Sequence, residues 1–237
     1  MSEMLDHREN VIADGIGEIS LVQAMANDES VVNAARVSFG QRIDLLDEKD
    51  GKLIKYLANE RHTSPFEHTA FTFYVKCPLF VTRQWHRHRT WSYNEISRRY
   101  TSKGIQFSIP TRLRKQGTKE DKQQSDKTET LKYIIRGNDR GDVYGMIEDY
   151  VDECVEFYDS LIDQGVAREQ ARMVLPQNMY TEFYATVDFH NLMHFIGLRD
   201  SEHAQWEIRQ YAVAMREMIT TLMPLSVAAV LKAQANK

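Results

Sequence analysis

The chain of 237 residues is 42% hydrophobic and 27% charged, an ordinary globular composition with enough length to bury a core in one or two domains. Its formal net charge of −4 argues against a general nucleic-acid binder, whose footprint is broad and basic, but leaves room for a local anion site. No apolar run approaches the ~18 residues of a membrane span and no signal peptide opens the chain, so the expected location is cytoplasmic, with neither membrane nor nucleic acid among the partners.

Taken in order, "SLVQAMANDESVVNAARVSF" (20–39) reads as helical pieces with Val31, Val32, Ala35 and Val37 on the apolar side, and "GKLIKYLANE" (51–60) as a second short helix. "FTFYVKCP" (71–78) switches to period two. Phe71, Phe73 and Val75 point one way and Thr72, Tyr74 and Lys76 the other, as in a half-buried strand. Pro78 closes it and suits the first turn of a helix through "LFVTRQWHRHR" (79–89). "KQGTKEDKQQSDKTET" (115–130) holds no large apolar side chain. It cannot repay its ordering entropy by burial, and is expected to be an exposed, mobile polar loop within one domain. Val143, Ile147, Tyr150, Cys154, Phe157 and Leu161 then recur at helical spacing, with Gly165 as the stop. "NMYTEFYATVD" (178–188) alternates like another strand and "FHNLMHFIGLR" (189–199) returns to helix. A long helix with Trp206, Tyr211, Met215, Met218 and Leu222 is closed by Pro224. The sum is an α/β chain of the α+β kind: one domain over 1–237, helix-rich, with a small mixed sheet. Cys77 and Cys154 lie in apolar contexts without metal or redox spacing, and burial is the expected role of both.

Chemistry concentrates in "RHRTWSYNEISRR" (87–99). Five arginines fall between Arg83 and Arg99 with no lysine among them, and arginine is the side chain for a planar, bidentate grip on phosphate or carboxylate. If the helix reaches residue 89, Arg83 and Arg87 share a face, with Gln84 and His88 beside them. Trp85, Trp91 and Tyr93 among the charges point to partial burial, where a guanidinium cluster wants a bound anion. Two other readings stand beside that one. A structural salt-bridge network would need acids from remote parts of the chain, because Glu95 neutralises one arginine at most. A single-stranded nucleic-acid strip would use Trp85, Trp91 and Tyr93 as stacking rings, against the acidic net charge. A metal is not expected: His86 and His88, with His62, His68, His194 or His203, would have to gather a cation beside Arg87 and Arg89, and no H-E-x-x-H or cysteine cluster supports one. Ser97 would need a base and an oxyanion hole to act as a nucleophile; hydrogen bonding at an anion site is the commoner role.

At these residues the chain resembles the flavin-dependent thymidylate synthases, whose signature is Arg-His-Arg, seven residues, then Ser, here Arg87-His88-Arg89 through Ser97. "HTSPFEH" (62–68), "RQWHRHR" (83–89), "SYNEISRRY" (92–100), "ARMVLPQNMYT" (171–181) and "LRDSEHAQWEIRQYA" (198–212) are similar to that family's blocks, in its order. The resemblance runs from about residue 20 to about 230 and leaves 115–130 unmatched. It implies methylation of dUMP at uracil C5 to give dTMP. Methylenetetrahydrofolate would supply the carbon and reduced FAD the hydride, with NADPH re-reducing the flavin. It also implies the family's own thymidylate synthase-complementing fold, assembled as a homotetramer with active sites shared between subunits.

By the same resemblance, Ser64 and the run Arg87, His88 and Arg89 contact FAD, and Glu95 lies between FAD and nucleotide. Gln84, Trp85, His86 and Arg87, then Glu95, Ile96, Ser97, Arg98 and Arg99, line the dUMP site, with Ser97 and Arg99 on the phosphate. Arg172 is a further dUMP ligand; read alone, it would pair with Glu169 or a carbonyl at a helix end. Arg199 matches the arginine that activates the pyrimidine. A guanidinium at the N3–C4=O edge would stabilise charge developing as C5 becomes nucleophilic, an effect of about 3–4 kcal/mol. The rival role, offsetting a helix dipole, is worth about 0.3–1 kcal/mol. Asp188, Phe189, His190 and His194 match FAD-contacting positions. The family often carries Asn and Arg where Asp188 and His190 stand, so Asp188 is expected to act through its backbone or on the adenosine. His62 and Glu67 are placed near the flavin, and packing is the simple role for Tyr100.

Overall fold

Two alternating runs meet at the centre of the protein. The structure, a computed structural model, describes residues 5–117, 125–136 and 139–236. Strands β1 (Asp6–Arg8), β2 (Glu18–Met25), β3 (Ala70–Pro78), β4 (Ser92–Glu95) and β9 (Tyr180–Val187) form one sheet; β5 (Leu113–Gln116) pairs with β6 (Ser125–Leu131), and β7 (Tyr133–Arg136) with β8 (Asp139–Asp142). The large sheet runs β1-β2-β3-β9-β4. All its ladders are antiparallel, which corrects the mixed sheet expected from sequence. The reason lies in its two faces. Phe71, Phe73, Val75, Phe183, Ala185 and Val187 bury one face against helices. On the other, Thr72 Oγ1 meets Thr186 Oγ1 at 3.0 Å and Tyr74 Oη donates to Glu182 Oε2 at 3.0 Å. Antiparallel ladders tolerate such a polar face; parallel ones are normally covered on both.

Because β3 precedes and β9 follows the polar stretch 115–130, both sides of it build one sheet. Residues 115–116 and 125–130 lie in the β5–β6 pair, so the loop expected there is in part a strand ladder; residues 118–124 fall outside the described residues. Residues 20–39 are likewise corrected. Ser20–Met25 belongs to β2, where pairing with β3 overrides a pattern too short to fix its period. Helix α1 (Asp28–Arg36) begins only where Asn27 caps it, its side chain accepting from Ser30 N at 2.8 Å.

Helix α2 (Glu48–Asn59) lies as expected, while α3 (Leu79–Trp85) stops four residues short of the predicted end. Arg87 therefore lies beyond the helix and shares no helical face with Arg83. Helix α4 (Val143–Asp163) is followed by Gly165 at φ +84°, then by the single turn α5 (Arg168–Ala171). Its predicted apolar stripe is buried only in part: Val143 is buried and Leu161 packs against the cluster of Tyr158, Ala171, Leu175 and Met179, while Tyr150 and Phe157 are 49% and 55% exposed. Helices α6 (Phe189–Arg199) and α7 (Trp206–Leu222) match their patterns. Pro224, read as a stop, also opens α8 (Pro224–Ala235). The buried carboxylate of Asp28 holds α8 in place, Oδ2 accepting from Leu225 N at 2.9 Å and Oδ1 from Ser226 N at 2.9 Å and Ser226 Oγ at 2.5 Å. Cys77 is buried, which pushes its thiol up to about 12, whereas Cys154 is only half-buried.

Gly17 shows how tightly the turn before β2 is packed. A Cβ there would sit 2.6 Å from Tyr211 Oη and 3.2 Å from Tyr180 Oη. Neither ring can yield easily, because Tyr211 Oη donates to Lys76 O at 2.7 Å and Tyr180 Oη donates to Asp14 Oδ2. Gly17→Ala is expected to cost about 1–3 kcal/mol through overpacking, seen as a lower denaturant midpoint at unchanged slope.

Candidate active site

The C-terminal ends of α3 and α6 converge on His88. Past Trp85 the chain turns, with His88 N donating to Trp85 O at 2.9 Å. Tyr93 Oη from β4 donates to His88 O at 3.0 Å and ties the turn to the sheet edge. The His88 ring is buried, its centroid 4.9 Å from Phe195 and 5.9 Å from His194. Arg199, the last residue of α6, donates from Nε to His88 Nε2 at 3.2 Å and from Nη2 to Gln84 O at 3.2 Å.

Burial lowers the pKa of His88 to about 4, and the neighbouring Arg199 and His194 push the same way. Burial also lowers that of Arg199, half-buried at the same spot. A histidine held below its free value of about 6.5 stays neutral in the fold while the unfolded chain takes up a proton. Stability is therefore fully present above that pH and is lost as pH falls towards 4. Thermal unfolding from pH 7 to 4 is expected to show a steeper decline for the wild type than for His88→Phe.

Beside this cluster lies a cleft of about 380 Å³ between α2, α6 and α8. His62, His190 and His194 line it, with Arg61 and apolar walls from Phe66 and Met193. His190 and His194, one turn apart on α6, thus come together with His62, which is distant in sequence and was placed near the flavin. Arg61, Asn59 and Gln234 line the same cleft and were not singled out from sequence; they fall in unremarkable helix-end positions. Among the described residues no group of three or more His, Cys, Asp or Glu is arranged to hold a metal.

The other predicted residues divide by what their side chains already do. Trp85 and Phe189 are fully buried in the core, and Trp91 nearly so. Trp85 has no exposed side-chain surface for a ligand, Phe189 nonetheless forms part of the cleft wall, and a strip of stacking indoles is not available. Arg98 is buried too, donating to Lys103 O at 2.7 Å and Gly104 O at 3.3 Å, with no hydrogen-bond partner for Nε among the described residues. The guanidinium closes a loop, which leaves the Arg98 backbone to line the expected dUMP site. Asp188 caps α6, Oδ1 accepting from Asn191 N at 2.9 Å, which occupies its carboxylate. Tyr100 is exposed with Arg99 over its ring, so packing does not describe it.

Arg99 and Arg172, distant in sequence, meet at one residue. Arg99 Nε lies 3.7 Å from Glu169 Oε2, and Arg172 Nε donates to Glu169 O at 3.3 Å. Ser97 Oγ accepts from Arg99 N at 3.3 Å. The pairing of Arg172 with a neighbouring carbonyl, read from sequence as its plain role, is what this chain makes. Ser64, Glu67, His86, Arg87 and Arg89 are exposed and Ile96 half-buried. Glu95 Oε1 accepts from Thr181 Oγ1 at 2.5 Å. Gln84 belongs to a chain of contacts missed from sequence. Its Nε2 meets Gln205 Oε1, Gln205 Nε2 donates to Glu207 Oε2 at 2.9 Å, and Arg114 Nη2 pairs with Glu207 Oε1 at 2.7 Å. Gln205 and Glu207 sit in the "AQWEIR" block, where alternating amides and acids were the available signal.

The family described as thymidylate synthase complementing protein matches residues 20–225. The chain is 44% identical over 216 residues to a flavin-dependent thymidylate synthase of Thermosipho melanesiensis, covering 91% of each protein. It is 46% identical over 213 residues to one of Thermus thermophilus, covering 90% of this chain and 75% of that one. Among solved structures, the UMP/dUMP methylase PolB from Streptomyces cacaoi bound with 5-Br dUMP superposes with a TM-score of 0.76 at 36% identity, over 90% of this chain and 94% of that one. The same methylase bound with 5-Br UMP gives 0.77 at 37% identity.

Proposed function

Since the chain belongs to the thymidylate synthase complementing protein family, that of the flavin-dependent thymidylate synthases, we propose that it converts dUMP to dTMP with methylenetetrahydrofolate, NADPH and FAD. The observation that carries this reading is Arg199: a half-buried guanidinium held by two uncharged acceptors, one of them His88, whose ring centroid lies 5.9 Å from that of the cleft-lining His194. Such a cation stabilises negative charge that develops on a neutral pyrimidine and contributes little to a ground state without that charge. FAD, when bound, supplies the hydride, and the folate supplies the one-carbon unit; the protein binds, orients and polarises.

The residues present fit a flavin. Flat apolar walls from Phe66 and Met193 face polar groups from Arg61, His62, His190 and His194, the mixture that an aromatic ring with attached phosphates requires. Ser64, Arg87 and Arg89 are open to add further donors. For dUMP, Ser97, Arg99 and Arg172 gather where a phosphate dianion would replace Glu169 as partner, and Arg199 takes the pyrimidine. A homotetramer with shared sites is the assembly we assign. The exposed Tyr150 and Phe157 on α4, and arginines left at the open rim, support subunit contacts that complete both surfaces. We place the enzyme in the cytoplasm.

The test is anaerobic incubation of the FAD-loaded protein with dUMP, methylenetetrahydrofolate and NADPH. dTMP and tetrahydrofolate are expected in equal amounts. A folded, yellow protein that oxidises NADPH and forms no dTMP would overturn the reading.

A further inference from the structure

Arg199 is oriented without being neutralised. Among the described residues no carboxylate pairs with it; its two acceptors are an imidazole nitrogen and a main-chain carbonyl. The acid next to it in sequence, Asp200, is drawn away by Arg209 at 3.6 Å and Arg216 at 2.9 Å. Those approaches are off-axis for the Nε–H groups, so the contacts are coulombic. They nonetheless occupy the carboxylate.

We propose that His88 is a positioning residue for Arg199, its Nε2 fixing the guanidinium plane towards the pyrimidine while leaving the positive charge uncompensated. This rests on the dUMP-methylating reading above and gives His88 a role distinct from the flavin contact implied by resemblance. Two acceptors on two different guanidinium nitrogens fix both the place and the plane of the group. A carboxylate in the place of His88 would hold Arg199 more strongly, but would cancel the charge on which electrostatic catalysis depends. A neutral imidazole holds and does not cancel.

His88 is built for that task. Its backbone is held at both polar atoms, by Trp85 O and by Tyr93 Oη, and Phe195 packs on its ring. Nε2 can accept from Arg199 only with the ring proton on Nδ1. A protonated ring would turn the acceptor into a donor facing a cation; burial holds His88 neutral at physiological pH.

The experiment is a double-mutant cycle on dTMP formation with the FAD-loaded enzyme, His88→Phe against Arg199→Ala. His88→Phe alone is expected to lower kcat by about 10²-fold, the effect of a misplaced catalytic group, with KM for dUMP and flavin content little changed. In the Arg199→Ala background the same substitution should cause no further loss. A purely structural or flavin-holding role would lower the rate by the same factor in both backgrounds, and that result overturns the proposal.

A matched pair of variants guards against misfolding of His88→Phe. His88→Gln places a neutral acceptor near the Nε2 position and should keep most of the rate. His88→Glu places a charged one there and should fall well below Gln. Equal rates for Gln and Glu, or a Gln variant as slow as Phe, would also overturn it. A wild-type protein that forms no dTMP at all is a different failure, that of the parent reading.

Discussion

Arg199→Ala is expected to lower kcat for dTMP formation by about 10²–10³-fold without loss of flavin binding. The size follows from where the group sits. Arg199 is half-buried, burial already lowers its pKa, and among the described residues no acid screens it. In such surroundings a charge acts on the reacting atoms far more strongly than in water. Alanine removes it and leaves His88 Nε2 and Gln84 O without their donor. Arg199→Lys is not a mild replacement, because an ammonium cannot present two nitrogens in a fixed plane. Single-turnover rates under anaerobic conditions, with flavin absorbance recorded on the same sample, separate chemistry from cofactor loss. If the residue only offset the α6 dipole, about 0.3–1 kcal/mol of stability would change and turnover would stay near wild type, which would refute the assigned role.

Asp28→Ala is expected to be the most damaging single change to stability among those considered. Its carboxylate receives Leu225 N, Ser226 N and Ser226 Oγ inside the protein. Removing it strands three donors, two of them at the first turn of α8, where helical N–H groups have no intrahelical acceptor. Hydrogen bonds to a charged group are worth about 1.5–3 kcal/mol each and are not additive. A loss of about 3 kcal/mol is a moderate expectation, equivalent to a Tm lower by about 6–12 °C for a chain of this size. The change also reaches the cleft, since α8 contributes Val230, Ala233 and Gln234 to its wall. Flavin should therefore dissociate more readily from Asp28→Ala. Asp28→Asn retains an acceptor and should fall between the two; an Asp28→Ala protein with wild-type Tm would contradict the capping role.

Much of the frame was legible because it repeats. Phe71, Phe73 and Val75 alternate, and the strand they predict is β3 at the centre of the sheet. β4 was hidden: Ser92–Glu95 is four polar-rich residues with no alternation, made a strand only by its ladder to β9. The helical spacing from Val143 to Leu161 identified α4 correctly. Spacing tells which residues share a face, however, and not whether this chain covers it: Tyr150 and Phe157 lie on the spaced stripe and are exposed. The site shows the same division. Motif resemblance marks positions along the backbone, whereas side-chain direction is settled by packing. Hence Trp85 and Arg98 stand inside the matched blocks yet point inward. The meeting of His88 with Arg199 joins segments with no shared local pattern, and nothing in either segment announces it.

In the proposed dUMP site, Glu169 is a built-in counter-ion. Arg99 and Arg172 would repel each other if gathered alone, and a carboxylate side chain and its own carbonyl hold them at modest strength. Both charged partners of the 3.7 Å pair are more than half exposed, so the contact is worth at most about 1 kcal/mol and weakens as ionic strength rises. On the proposed reading, an incoming dianion would exchange one weak partner for a stronger one. The arginines need not be collected from solution at that moment, because the acid has kept them assembled in advance.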